Sequence, residues 1–290
     1  MGTMHRKRGK GTTSTFEDAT SVEVVDLGEW GWNDDAMRMV RLISHKPLNP
    51  REAAQAIVKA SPFVKEFKAQ LLVTPGGFGE AFPKFRGSEI ETLDEAVQCY
   101  VAEFLQFIAC NRNFDIILGV DSQGGYIQDA YFLPGAACSI QECKRAWKSY
   151  PRWDEMYLYT KGRACQNRVV SSGRDKISLL VCHDMVAFSG RSQANRGQLR
   201  EKWAMQMDSE VARGPNTGVV HLIHCLDSPS EGTVFTNGMA ALISGGVTWG
   251  ISTFKTKLYQ TQSLHELREI EERTAKYTSP TLDLYVEVRK

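Results

Sequence analysis

Cys182-His183-Asp184 places a thiol, an imidazole and a carboxylate on consecutive residues, directly after the apolar run ISLLV at 177–181. A thiol presented there can act as a nucleophile once a base takes its proton, because the thiolate is the attacking species. Free cysteine is also among the most buried residue types and packs as a small hydrophobe, so the groups around it decide its role. His221 and His224, in the strand-like VVHLIHC, are two candidate bases for a Cys–His dyad. Residues three apart in a strand face opposite sides, which argues against a metal ion shared by these two. Cys225 with Asp227 offers a second thiol at a strand end. The glycine-rich stretch 75–79 lacks both the Lys-Ser/Thr of a phosphate loop and the spacing of a dinucleotide fingerprint. Segment 189–200 carries three arginines and no acid and reads as a solvated loop that can meet an anion.

Such groups need a scaffold. The run over 175–181 is short, aliphatic and bounded by turn-type residues, which predicts a buried strand presenting its last residues at a sheet edge. Similar strands are expected at 21–27, 37–44, 69–74, 114–120, 126–133, 156–160, 218–225, 248–254 and 281–288. Helical spacing appears over 52–67, 93–111, 201–210, 235–246 and 264–275. Asn49 is placed to cap the first helix, Pro50 is its first helical residue, and Pro62 is a potential break. Strands alternating with helices predict an α/β fold with a substantial sheet, or two packed sheets.

Composition narrows the function classes. A chain of 290 residues with 42% hydrophobic and 24% charged residues can bury a full core. Its formal charge of +1 gives no global attraction to nucleic acid or an anionic membrane. No apolar run approaches the ~20 residues that span a bilayer. Residues 1–20 are basic and polar without the apolar core of a signal peptide, and read as a flexible tail before a single domain over 21–290. Seven cysteines with no CxxC pair fit free thiols in a reducing, cytoplasmic setting.

The order of these segments resembles the nitrilase (carbon–nitrogen hydrolase) superfamily. KISLLVCHD at 176–184 is similar to that family's apolar strand ending in Cys-aromatic-Asp, and Arg191 stands where an arginine often follows. LLVTP at 71–75 resembles the strand that ends in Pro-Glu, IILGV at 116–120 the next strand, and Tyr159-Thr160-Lys161 the Tyr-x-Lys motif. The resemblance implies an α-β-β-α sandwich of two packed mixed sheets. It also implies hydrolysis of a non-peptide carbon–nitrogen bond in a small amide, a homo-oligomer, and no cofactor or metal. Carried onto this chain, Cys182 is the nucleophile, Lys161 the oxyanion stabiliser and Glu80 the base. Three departures stand out. Gly76 occupies the place of the glutamate after the proline, which is why the nearest carboxylate, Glu80, takes the role. The stretch from Lys161 to Cys182 is short, which makes Lys144 and Lys148 alternatives, and His183 replaces the aromatic residue. The missing glutamate also supports a second reading, a catalytically inactive binding or assembly protein on the same fold.

Overall fold

In the computed structural model, the residues described are 13–15, 20–26, 38–44, 47–66, 68–83, 90–150, 167–190, 198–224, 229–253 and 285–287. The first half of the chain builds one sheet. Its strands are β1 (Thr13–Thr15), β2 (Thr20–Asp26), β3 (Arg38–Ser44), β4 (Leu71–Val73), β5 (Gly79–Ala81), β6 (Asp115–Ser122), β7 (Gln128–Leu133) and β8 (Lys144–Trp147). They are ordered β1-β2-β3-β4-β6-β7-β8, with β5 beside β6 beyond the end of β4. The β3, β4 and β6 core is parallel, and hairpin-like antiparallel strands extend it on both sides. The sheet begins at Thr13, inside the stretch read from sequence as a tail.

The second half builds a smaller sheet from β9 (Val169–Ser172), β10 (Asp175–Val181), β11 (Thr217–Leu222), β12 (Trp249–Thr253) and β13 (Tyr285–Glu287). Here β10, β11 and β12 run parallel and the two edge strands run antiparallel. Helices α1 (Pro50–Glu66) and α2 (Ile90–Phe107) cover the outer face of the first sheet. Helices α3 (Gln198–Ser209) and α4 (Pro229–Ser244) cover the outer face of the second. Between the sheets lies a third apolar layer, in which Leu71, Val73, Ile117 and Phe132 meet Ile177, Leu179, Val220 and Ile251. The architecture is therefore the two-sheet α-β-β-α sandwich expected from sequence.

Local chemistry accounts for the elements. Asn49 and Glu52 exchange backbone-to-side-chain hydrogen bonds of 3.0 and 2.9 Å, a reciprocal cap at the start of α1. The helix continues through Pro62 rather than dividing there, with an apolar stripe of Ala53, Ile57, Ala60 and Val64 held on the sheet. The strands expected at 156–160 and the helix expected at 264–275 lie outside the described residues. Short β5, β8 and β9 carry no sequence pattern strong enough to announce them. Cys110 and Cys138, with Cα atoms 5.3 Å apart, are joined as a disulfide, which corrects the expectation of free thiols for that pair. No helix of the described residues is long and apolar enough to cross a membrane.

The sheets touch closely at one edge. The loop after β4 meets the chain leaving β11, with Gly76 at the contact. A Cβ built there would stand 2.7 Å from the His224 nitrogen and 2.8 Å from the Ile223 carbonyl carbon, both of them main chain. Backbone cannot swing aside as a side chain can. Gly76→Ala should therefore cost about 1–3 kcal/mol in urea unfolding, by overpacking, and Gly76→Glu should cost more. An alanine variant as stable as the parent would show that the two loops can part.

Candidate active site

Cys182 sits where β10 ends. Val181 is extended (φ −120°, ψ 119°), Cys182 turns to φ 48°, and a 3-10 segment follows from Cys182 to Phe188. Left-handed backbone at a residue other than Gly, Asn or Asp is unfavourable by roughly 1–2 kcal/mol and must be held by its surroundings. The geometry turns the chain sharply at the carboxyl end of a central parallel strand. In open α/β sheets that edge is where ligands meet the protein. The Cys182 side chain packs with the layer between the sheets and is buried.

Three sets of contacts hold the elbow. The Asp184 carboxylate reaches back to accept the Val181 N–H at 3.0 Å, closing the turn on itself. It also accepts the Ser149 and Tyr150 N–H groups at 2.7 and 2.9 Å, and Arg168 Nη1 at 2.9 Å. Arg168 in turn donates to Glu210 at 2.8 Å and to the Leu179 carbonyl at 3.1 Å. Arg168 and Asp184 have no solvent exposure, so this ion pair is a structural clamp and not a catalytic acid. The second contact is His221. A carbonyl can only accept, so His221 Nε2–H donates to the Cys182 carbonyl at 2.7 Å, and Nδ1 accepts the Ser252 hydroxyl at 3.0 Å. With both ring nitrogens engaged and the ring edge-on to Phe235, His221 supports the backbone and is not the partner of a Cys–His dyad. The third is His183, which points to the outer helix layer and pairs through Nε2 with Glu231 of α4. The adjacent His183 and Asp184 thus have separate partners on different elements.

Strand alternation decides what faces the thiol. On the second sheet, Val220 and Leu222 lie in the inter-sheet layer, which turns His224 inward as well. On the first sheet, Ile117 of β6, Ala130 and Phe132 of β7 and Ala146 of β8 face the same layer. The same alternation brings Asp121, Gln128 and Lys148 to its polar end. His224 Nδ1 pairs with the Asp121 carboxylate across the mouth between the sheets. Its ring lies over the β6–β7 turn, where a Cβ on Gly125 (φ 69°) would be 3.6 Å from Nε2. Asp121 Oδ1 and Gln128 Oε1 are buried acceptors without a hydrogen-bond partner among the described residues.

The lysine question divides by burial. Lys144 is exposed at the start of β8, whereas Lys148 is 1% exposed and its N–H donates to the Gln128 carbonyl at 2.9 Å. Lys148 directly precedes Ser149 and Tyr150, whose N–H groups bind Asp184, so the clamp itself draws this lysine to the elbow. Arg145 fixes β8 from the other face, donating to Asp129 of β7 at 2.7 Å and Asp94 of α2 at 3.2 Å. Lys161, Cys225, Asp227 and Arg191 lie outside the described residues. Glu80 stands on β5 in register with Asp121. Its neighbour Gly79 faces Tyr100 of α2, so alternation turns Glu80 toward the inter-sheet side. Half-buried, it also borders an outer groove of about 320 Å³ with Asn49, Phe82, Cys99 and Glu103. The slot of the expected glutamate after Pro75 is filled by the Ile223–His224 main chain.

Sequence reasoning missed Asp121, Gln128 and Arg168 as parts of the site. For Asp121 a signal existed: a carboxylate directly after the apolar IILGV, at the end of a strand buried on both faces. Arg168 gave none. No group of three or more His, Cys, Asp or Glu residues that could hold a metal ion occurs among the described residues.

No family model and no curated protein matches the chain. Among solved structures it is similar to the NitN amidase from Nesterenkonia sp. AN1, at 18% identity over 76% of this chain and 78% of that one, with a TM-score of 0.46. A mutant of that amidase, described as from the nitrilase superfamily, aligns at 18% identity over 76% of each chain with a TM-score of 0.47. A further mutant, showing Michael addition of acrylamide at its active-site cysteine, aligns at 18% identity over 76% and 79%, with a TM-score of 0.45.

Two predictions follow from the elbow. Arg168→Met leaves the Asp184 carboxylate buried without its cation, and should cost about 3–5 kcal/mol in urea denaturation. A loss below 1 kcal/mol would mean that the pair does not organise the turn. Burial pushes the His221 pKa from 6.5 down to about 3, against the opposing pull of its bond to the Cys182 carbonyl. Between those values the unfolded chain binds a proton that the folded chain does not. Stability is therefore full above pH 6.5 and falls on acidification toward pH 3, by on the order of 4–5 kcal/mol from this group. The Tm of His221→Gln should decline less steeply than that of the parent between pH 7 and pH 4; parallel curves would contradict the assignment.

Proposed function

We propose that the chain is a thiol-dependent hydrolase of a non-peptide carbon–nitrogen bond in a small amide, with Cys182 as nucleophile and Lys148 as the oxyanion-stabilising cation. The observation that carries this reading is the left-handed Cys182 at the end of a central parallel strand, held by Asp184 and His221 and packed in the layer between the two sheets. A protein that needs a cysteine only as a small apolar filler has no reason to hold it in that backbone region. The resemblance of KISLLVCHD to the nitrilase motif points the same way.

The surroundings suit the chemistry. Thiolate attack on an amide carbonyl forms a C–S bond and an oxyanion, which a buried ammonium stabilises more strongly than a solvated one. Lys148, one of the alternatives to Lys161 from sequence, comes from the facing sheet to the same layer and is the cation this reading uses. The acceptors Asp121 Oδ1 and Gln128 Oε1, without a hydrogen-bond partner among the described residues, suit the N–H groups of a primary amide, which an ester lacks. Collapse of the intermediate breaks the C–N bond and releases the amine, and water then cleaves the thioester to the acid.

The closed glutamate slot favours the second reading, a binding or assembly protein that keeps the fold without the reaction. Ammonia release from a panel of short primary amides separates the two. The parent should release ammonia, Cys182→Ala should abolish release, and Lys148→Met should reduce it about 10²–10³-fold. A parent inert toward the whole panel would favour the binding protein.

A further inference from the structure

We infer that the outer groove beside α2 is a docking site for an extended segment of a partner protein that carries two arginines four residues apart.

The groove is apolar inside and acidic at its edges. It encloses about 320 Å³ between the exit of β5, the start of α1 and one flank of α2. Pro50, Ala81, Phe82, Pro83 and Ala96 line it, and Phe82 is left 61% exposed. Two exposed carboxylates, Glu95 and Glu103, stand on the α2 flank, and Glu80 borders the groove from β5. None of the three carboxylates has a hydrogen bond or an ion pair among the described residues. Arg51, next to Pro50, holds its guanidinium over the Phe107 ring at 5.6 Å instead. The wall of the groove feels the same sign of charge. Tyr100 donates its phenol to the Leu48 carbonyl at 2.9 Å, and burial first, then Glu52 and Glu103, keep it protonated far above its ordinary range. An apolar trough edged by uncompensated carboxylates suits a cation on an aliphatic stem. Arginine adds a planar head that stacks on an open aromatic face while its N–H groups meet carboxylate oxygens.

Spacing sets the length of the occupant. Glu95 and Glu103 are eight residues apart in one helix, about 12 Å along its axis. An extended peptide turns alternate side chains to one face, which puts positions i and i+4 about 13 Å apart on the same side. Two arginines at those positions meet one carboxylate each, whereas a small monocation reaches only one.

The chain's own basic stretch, Arg6-Lys7-Arg8-Gly9-Lys10, is the rival occupant. Strand pairing puts Thr13 on one row with Glu23, Arg41 and Val73, about 14 Å across the sheet. Glu80 stands on the β4 side of β6, four residues further along that strand, or about 13 Å beyond Val73. Thr13 and Glu80 are therefore roughly 19 Å apart within the sheet. β1 runs parallel to β3, so the chain enters Thr13 from the opposite edge of the sheet. Arg8 is five residues before Thr13, and a fully extended chain of that length spans at most about 18 Å. Arg8 and Lys10 thus fall short of the groove in their own molecule, and the occupant comes from another chain.

The test uses full-length protein and a blocked, fluorescein-labelled pentapeptide with arginine at its first and fifth positions and serine between, read by fluorescence anisotropy. The parent should bind it. Glu95→Gln combined with Glu103→Gln should weaken binding about 10-fold, the worth of one partly exposed ion pair at each carboxylate. Phe82→Ser, which keeps both carboxylates, should weaken it about 3-fold. All three side chains are exposed, and circular dichroism checks that the variants fold. A peptide of the same composition with its arginines adjacent should bind less tightly. Equal binding of the two peptides, equal affinity of the parent and the double variant, or a parent that binds neither peptide overturns the inference. Peptide affinity that rises 10-fold or more on removal of residues 1–12, or parent dimers that the double variant loses, assigns the groove to this chain's own basic stretch and also overturns it. The hydrolase reading is untouched by any of these results.

Discussion

One buried carboxylate organises this molecule. Asp184 takes four hydrogen bonds on its two oxygens, from Val181, Ser149, Tyr150 and Arg168. Those donors belong to the end of β10, the segment leaving β8 and the segment entering β9, so both sheets are tied to one group. Glu210, just beyond α3, joins through Arg168. Taking a carboxylate and a guanidinium out of water is costly, and mutual attraction offsets the cost only when the remaining lone pairs and protons are also satisfied. Here each oxygen has two donors. The arrangement explains why a left-handed cysteine is tolerable, since a backbone penalty near 1–2 kcal/mol is smaller than the cost of leaving such a pair incomplete.

The same constraint reaches the facing sheet. Binding the Ser149 and Tyr150 amides to Asp184 fixes the exit of β8, and Lys148 is the residue before them. A lysine placed by a backbone anchor on the next two residues is held more closely than one at the end of a free loop, which is what the role proposed for Lys148 asks of it. Arg145, on the opposite face of β8, secures the strand to β7 and α2 without competing for the same acceptors.

Much of this was legible in the residues, and the rest was not, for physical reasons. The parallel strands β10 and β11 are short aliphatic runs, and the Asn49–Glu52 cap is a local pattern three residues long. Cys182 at a strand end could be read because burial on both faces of a parallel strand leaves only its end for chemistry. The lysine could not be chosen, because Lys144, Lys148 and Lys161 differ in which strand ends they follow, and β8 is too short to show a period. Nor could the pairing of His224 with Asp121, which are 103 positions apart and meet only when the two sheets stack. The Cys110–Cys138 link, over 28 positions, escaped notice for the same reason. Gly76 looked like a lost glutamate, whereas its meaning lies in the chain that packs against it.

His221 and His224 show how completely topology decides a side chain's chemistry. Both lie on one run of chain, three residues apart, and a period of two sends them to opposite faces. His221 enters the outer core against Phe235, where burial disfavours its charged form and both nitrogens serve fixed partners. A ring that cannot accept a proton near neutral pH can brace a backbone but cannot carry protons. His224 emerges at the mouth, 30% exposed, with the Asp121 carboxylate of the facing sheet on Nδ1.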